Sequence, residues 1–514
     1  MIQLTGARAA TVIAALLLSA CTVGPAYQRP EVATPANFKE AVNFDGTTWK
    51  SAAPGDTLPR GPWWERFDDP DLNALAAQIE SANPSLQSFV ARYYQAEALI
   101  REARSAYFPT LNLNASTTRA RNGTAGIVQP PQTTDTVSAS VSGWELDLWG
   151  RIRNTVEANK LSAQASIADI ENTKLSLQAQ LVTSYLALRI SDEQANLLDR
   201  TVDDYKKALD LTTNRYKAGV AARLDVAEAE TQLKSTQAQA LDVHIARAQF
   251  EHAIAVLIGK APAEFSIAVK PLVIRMPEIP LSTPSALLER RPDVAAAERR
   301  IAAANASVGA AQAALFPTLS LGGTLGFRKN SWGNLLTVPN RFWSIGPALT
   351  LPVFDGGLRR GEIAQAEGVY DQNVADYRQA VLTAFQDVED QLVALRVLEQ
   401  EAVVQSEAVR SANESLDHTI EQYRGGTLSY LNVITAQTTA YSNRQTELNI
   451  LNRRYAAAVA LIKALGGGFD QGGMTAPMVP EPRGIKLRAA DFMSHKDKPA
   501  EKPADKQPQA AESK

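Results

Sequence analysis

The residue types that carry chemistry are sparse and scattered in this 514-residue chain. Its four histidines, His244, His252, His418 and His495, fall at no metal-ligand spacing. A single cysteine, Cys21, excludes a disulfide framework. There is no Walker loop, no dinucleotide fingerprint and no Gly-x-Ser-x-Gly elbow. No catalytic constellation results, so the chain is not expected to be an enzyme or to carry a cofactor or metal. A formal net charge of −3 offers nothing to a phosphate backbone, which excludes nucleic acid as a partner.

The exception is Cys21 itself. It ends the stretch Leu18-Ser19-Ala20-Cys21, which follows Arg8 and a short apolar run from Ala9 to Ala20. That run is too short to cross a bilayer as a helix and predicts a signal peptide over residues 1–20. The four residues resemble a bacterial lipobox, in which cleavage precedes the cysteine and its thiol is then lipidated. Thr22 follows rather than Asp, which in bacterial lipoprotein sorting favours the outer membrane. Several acyl chains on one residue anchor stably where a single chain does not.

The elements that would hold any site are written twice. Ala106-Tyr107-Phe108-Pro109-Thr110-Leu111 returns as Ala314-Leu315-Phe316-Pro317-Thr318-Leu319, and Tyr216-Lys217-Ala218-Gly219 as Tyr423-Arg424-Gly425-Gly426. The offset is about 207 residues, a duplicated domain rather than a short-period solenoid. In the first copy, Ser85 to Phe108 reads as a helix closed by Pro109. Leu111, Leu113 and Ala115 then alternate with Asn112, Asn114 and Ser116, and Val137, Ala139 and Val141 with Ser138, Ser140 and Ser142. These are two half-buried strands, at about 109–119 and 136–148, joined by a polar loop over 123–135. The parity breaks at Gly143-Trp144, either a bulge or the exit from a bilayer. Trp144 and Trp149 suit an interfacial aromatic belt or core packing equally. Arg151 to Ala218 holds neither Gly nor Pro and predicts a helix on the order of 100 Å long. Gly219 breaks it before a second helix, Val220 to Ile258. The second copy repeats the pattern with strands at about 317–328 and 342–353 and helices from Asp293 to Phe316, up to Arg424, and from Thr427 to Leu465.

The long helices carry an unbroken seam stepping by three and four, from Val374, Tyr377, Val381, Ala384, Val388 and Gln391 to Tyr423, and from Ile167 to Tyr216 in the first copy. Such a period means coiled-coil packing. No stretch is apolar enough for a transmembrane helix, so any span is a β-barrel. Each strand has about the 9–11 residues that cross a bilayer at a tilt. Four strands cannot close alone and an open edge is not tolerated in lipid, but three chains give twelve. The expected fold is therefore mixed α and β: a trimeric transmembrane β-barrel, four strands per chain, continuous with a long α-helical coiled-coil barrel in the periplasm. The expected domains are a lipidated extended segment at 21–70, repeats at 71–260 and 285–468, a linker at 261–284 and a tail at 469–514. The tail, rich in Pro, Lys and Glu from about Met474, is expected to be solvated.

Three segments add a family resemblance. Cys21-Thr22-Val23-Gly24-Pro25-Ala26-Tyr27-Gln28-Arg29-Pro30, Trp63-Trp64-Glu65-Arg66-Phe67-Asp68-Asp69-Pro70-Asp71-Leu72 and Arg290-Arg291-Pro292-Asp293-Val294 resemble the TolC-like outer membrane factors, specifically NodT-type efflux lipoproteins. The likeness runs from Cys21 to about Gly468. It implies a homotrimeric exit duct in outer membrane lipid, serving an inner-membrane pump through a periplasmic adaptor. It also implies that the two helical turns, at Gly219, Val220 and Leu224 and at Gly425, Gly426 and Leu428, meet the adaptor. The periplasmic gate would comprise Asp225, Glu228, Tyr423, Asn432 and Thr435, with Asp225 hydrogen-bonded to Tyr423. Asn432 and Thr435 stand where aspartates often line the aperture, so a less acidic constriction is expected. In the barrel, Asn112, Asn114, Ser116, Ser138 and Ser140 would face the lumen, and Leu111, Leu113, Val137, Val141, Leu319 and Leu321 lipid. Drug or small-molecule efflux is the leading expectation. Protein secretion, metal efflux and a poreless periplasm-spanning lipoprotein are the alternatives.

Overall fold

The computed structural model describes residues 23–32, 35, 38–40, 61–121, 130–277 and 290–467. Cys21, the signal segment, His495, part of the first strand loop and the tail lie outside them. Helices α1 (Pro70–Ala82) and α2 (Pro84–Ser105) start alike, each with Pro at the first position and a side-chain cap before it. Asp69 accepts from the amides of Asp71 and Leu72, and Asn83 from that of Leu86. The α2 helix stops at Ser105, short of the expected Phe108. Its last turn tightens into i to i−3 bonds, Tyr107 N–H to Arg104 O and Phe108 N–H to Ser105 O. Helix α5 (Pro292–Ala313) tightens in the same way before Pro317, so the helix expected to reach Phe316 also ends early.

Strands β1 (Leu111–Ala120), β2 (Gln132–Leu146), β3 (Thr318–Lys329) and β4 (Arg341–Thr350) form one antiparallel sheet in chain order. The register pairs Leu113 with Ala139, Ala139 with Leu325 and Leu325 with Trp343, which builds one apolar face. Asn112, Ser140, Thr324 and Ser344 form a row of the opposite face, where Asn114 Nδ2 also donates to Ser140 Oγ at 3.0 Å. At Gly143 (φ 63°) the register slips between Val141 and Trp144, and pairing then resumes through Leu146 with Leu319. The broken parity is a bulge, and it returns Trp144 and Leu146 to the apolar face. Strand β2 starts four residues before the expected 136, because Thr133 and Asp135 still pair with Arg119 and Thr117. Strand β4 stops at Thr350 rather than 353, just before Pro352, which has no N–H to donate.

Below the sheet stand two 67-residue helices, α3 (Arg151–Lys217) and α6 (Leu358–Arg424), and two of 35 residues, α4 (Arg223–Leu257) and α7 (Tyr430–Ala464). Helix α3 packs against α2 and α5 near the sheet and against α4 and α7 farther away, while α6 packs against α5 and then α7. Helix α2 thus stands over α4, and α5 over α7, in a wall of four columns. The two junctions are built alike. Asn83 Nδ2 donates to Leu257 O (2.7 Å), and Arg291 Nη1 to Ala464 O (3.3 Å), the matching position of the second copy. Gly259 (φ 70°) lets α4 end against α1: a Cβ there would stand 2.3 Å from Ala82 O. Arg291 also bonds Asp293 and Asp387.

The seam is buried at Tyr377, Val381, Ala384 and Val388, but the next buried side chain is Leu392 and not the expected Gln391. A straight helix drifts about 20° per heptad against a seven-residue repeat, which is enough to pass burial to the neighbouring position. Two irregular segments wrap the middle of the wall. Residues 265–276 pack on α3 and α4, and the buried Arg189 donates to Ala268 O (2.7 Å) and Asp192 Oδ2 (3.1 Å). The other is a strap. Val23 N–H donates to Trp149 O, Asn305 Nδ2 to Pro25 O, and Tyr27 Oη to Glu298 (2.8 Å). Phe38 enters the core beside Val381 and Val388, and the amides of Lys39 and Glu40 donate to Glu389. Trp149 stacks on Phe316 at 4.9 Å and donates to Pro317 O, so it packs the sheet-to-helix junction.

Candidate functional site

The two helical turns farthest from the sheet close in the same way. At the first, Gly219 takes a left-handed conformation (φ 75°), and Val220 N–H bonds back to Arg215 O at 2.9 Å. At the second, Gly426 (φ 78°) does the same, with Thr427 N–H on Gln422 O at 3.0 Å. Both are helix C-terminal reversals that a side-chain-bearing residue resists. Val220, Leu224 and Leu431 are largely exposed at these ends, and Leu428 is half-buried.

The two turns differ in what lies behind them. Tyr423 and Tyr430 are buried, with rings 5.5 Å apart, among Ala229, Val433, Ala208 and Leu211. Tyr216, the first-copy counterpart of Tyr423, is 44 % exposed. The first hairpin reaches the second through Arg215. Its guanidinium carbon stands 4.6 Å from the Tyr423 ring centroid, and Nη1 donates to the carbonyls of Tyr423 (2.7 Å) and Arg424 (3.3 Å). These are the last carbonyls of α6, where the helix dipole favours a cation. Farther up, Gln232 of α4 donates to Tyr205 of α3 and Thr438 of α7. Burial, first of all, pushes the Tyr430 phenol well above its ordinary value, with Tyr423, Tyr205, Glu228 and Asp225 adding to it.

The expected bond between Asp225 and Tyr423 is not the one formed. Asp225 Oδ2 accepts the amide of Ala222 at 3.2 Å, capping its own helix, and Tyr423 Oη donates to Thr212 Oγ1 at 3.3 Å. The carboxylate is three residues into α4, within reach of the amide left without a helical partner at that helix start. Asp225 and Glu228 are half-buried, whereas Asn432 and Thr435 are exposed and spend their donors locally, on Ser429 Oγ and Leu431 O. Sequence reasoning missed Arg215 and Tyr430. The signal was available: the second copy has Gln422 opposite Arg215, and the first has Arg223 opposite Tyr430.

Between the hairpins runs a cleft of about 630 Å³, lined by Leu211, Ile420, Tyr430 and Val433 with Arg200, Lys207, Asp204 and Asp417. No group of three or more His, Cys, Asp or Glu capable of holding a metal occurs among the described residues.

Comparison with known proteins agrees with this architecture. The family described as outer membrane efflux protein matches residues 75–260 and 283–467. Outer membrane protein OprJ of Pseudomonas aeruginosa is 31% identical over 465 residues, covering 89% of this chain and 95% of its own. The toluene efflux pump outer membrane protein TtgF of Pseudomonas putida is 30% identical, covering 88% and 95%. Among solved structures, the outer-membrane channel OprN superposes with a TM-score of 0.78 at 30% identity, over 87% of this chain and 99% of its own. The open state of the Neisseria gonorrhoeae MtrE outer membrane channel gives 0.76 at 29%, over 88% and 100%. The chain belongs to the outer membrane efflux protein family.

Proposed function

We propose that this chain is the outer membrane exit duct of a tripartite efflux system, a homotrimer joined by a periplasmic adaptor to an inner-membrane pump. The observation that carries this reading is a sheet with two open edges, β1 and β4, above a wall of four helical columns. An open edge is untenable in lipid, and three copies close the sheet into a twelve-stranded barrel. Its lumen is the face of Asn112, Asn114, Ser116, Ser138 and Ser140, neutral and hydrophilic, which suits passage without tight selection. Relatives named for toluene, antibiotic and pyoverdine export support small-molecule cargo.

The strap gives Cys21 a role. Val23, two residues on, is bonded at the sheet-to-helix junction, so acyl chains on Cys21 would enter the membrane beside the barrel. The turns at Gly219, Val220 and Leu224 and at Gly425, Gly426 and Leu428 form the adaptor-facing end. The gate lies there, with Asn432 and Thr435 as its neutral rim and Asp225 and Glu228 behind it. Arg215 acts as the latch, gripping the end of α6 in place of the expected Asp225–Tyr423 link.

The test is reconstitution of the full-length protein in planar bilayers, with its oligomeric mass measured in detergent. A trimer with small, rarely open conductance supports the duct. A protein that inserts no channel, whatever its mass, fits a poreless periplasmic lipoprotein and sinks the proposal.

A further inference from the structure

The turn between β3 and β4 does not stand up from the sheet. Lys329 Nζ donates to Gly333 O at 2.8 Å, and Trp332 Nε1 donates to Thr117 Oγ1 at 3.1 Å, on the far side of β2. Thr117, Asp135 and Lys329 are one cross-strand row, and they share a face with Leu113, Val137 and Phe327. The turn therefore folds back over the apolar face, across β2. Asp135, in the middle of that row, is left 2 % exposed. Leu335 packs inward at 3 %, while Trp332, Leu336 and Val338 remain 54, 68 and 74 % exposed. A cleft of about 360 Å³ opens beneath the flap, lined by Val137, Trp332, Asn334, Leu335 and Leu336.

We propose that this flap, residues 331–340, is a lipid-binding surface: it lies in the outer leaflet at the boundary of headgroups and acyl chains and takes an acyl chain in the cleft against Val137. This rests on the reading of the chain as an outer membrane duct, since the apolar face is then the lipid face. Continuity selects the occupant. Val137, on which the cleft rests, shares its face of the sheet with the band of Leu113, Leu325, Trp343 and Ile345, all more than half exposed in the single chain. The row of Thr117, Asp135 and Lys329 marks where that band turns polar, and the flap sits on this border. A ring with an N–H handle is the side chain that interfaces favour. Leu336 and Val338 on a water-facing loop would instead leave apolar surface in water with nothing to cover it.

The test uses full-length protein in vesicles of phosphatidylethanolamine and phosphatidylglycerol, with a nitroxide on Leu336→Cys. The unsubstituted protein, with only Cys21, sets the background. Leu113→Cys on the bare apolar face and Glu230→Cys near the helical tips set the lipid and water limits. At Leu336→Cys, collision with dissolved oxygen should exceed collision with a water-soluble nickel chelate several-fold, with the label shallower than at Leu113→Cys. A label that behaves like Glu230→Cys, or one that neither reagent reaches because a neighbouring protomer covers it, overturns the proposal. Channel conductance in the same vesicles separates the two readings. Conducting vesicles with a water-exposed flap sink only the flap. Silent vesicles in which Leu113→Cys is also water-exposed sink the duct.

Discussion

Replacing Arg215 should open the duct at its periplasmic end. The side chain makes one short bond and one long bond to α6 carbonyls and lies over the Tyr423 ring. A hydrogen bond from a charged group contributes about 1.5–3 kcal/mol, and a guanidinium on a partly exposed ring adds about 0.5–1. The contacts share one side chain and the second bond is long, so we take about 2 kcal/mol per protomer. That is about 30-fold in the ratio of closed to open tips. If the three tips of a trimer move together the effect is about threefold larger in free energy, enough to reverse a population. Single-channel recording should show Arg215→Ala dwelling in larger conductance states, and cells carrying it should admit a large antibiotic that the parent excludes. Arg215→Lys should be intermediate, because an ammonium keeps the charge and loses the fork and the stacking. Backbone carbonyls do not titrate, so the latch should hold evenly from about pH 5 to 8, where a histidine link would change. A folded, trimeric Arg215→Ala channel with parental conductance and closed time would refute the assignment.

Three further outcomes follow from the same geometry. Asp225→Ala removes a helix cap worth about 1 kcal/mol and should lower thermal stability slightly without opening the channel; a leak matching that of Arg215→Ala would restore Asp225 as the gate residue. Asn432 and Thr435 carry no charge, so divalent cations at low millimolar concentration should leave the conductance nearly unchanged, and strong block would count against the neutral rim. The buried Tyr430 phenol is held above its ordinary value, so its contribution is complete below the unfolded pKa of about 10 and is lost as pH rises through the folded one. Tyr430→Phe should therefore move the alkaline unfolding midpoint to higher pH, and an unchanged midpoint would show that another group controls it.

Periodicity made most of the fold legible. Alternation marked the strands of the first copy, the absence of Gly and Pro marked its 67-residue helix, and the repeat carried both to the second copy, whose long helix holds Gly361 and Gly368. The strap was not legible. Val23, Tyr27, Phe38 and Glu40 form no periodic element, and each is held by a partner some hundred or more positions away. The Asp225 bond failed for a related reason: a carboxylate beside free helix amides caps its own helix before it reaches across to another. The copies themselves hold the remedy. Where they agree they report the shared frame, as in Asn83 with Leu257 and Arg291 with Ala464, where different side chains make the same junction. Where they disagree, at Arg215 against Gln422 and Arg223 against Tyr430, symmetry alone would give two equivalent hairpins. The structure has one hairpin that grips and one that is gripped: Tyr216 stays at the surface, while Tyr423 lies under Arg215. A latch between duplicated hairpins requires such unequal pairs, because two identical tips would offer either two guanidinium donors or none.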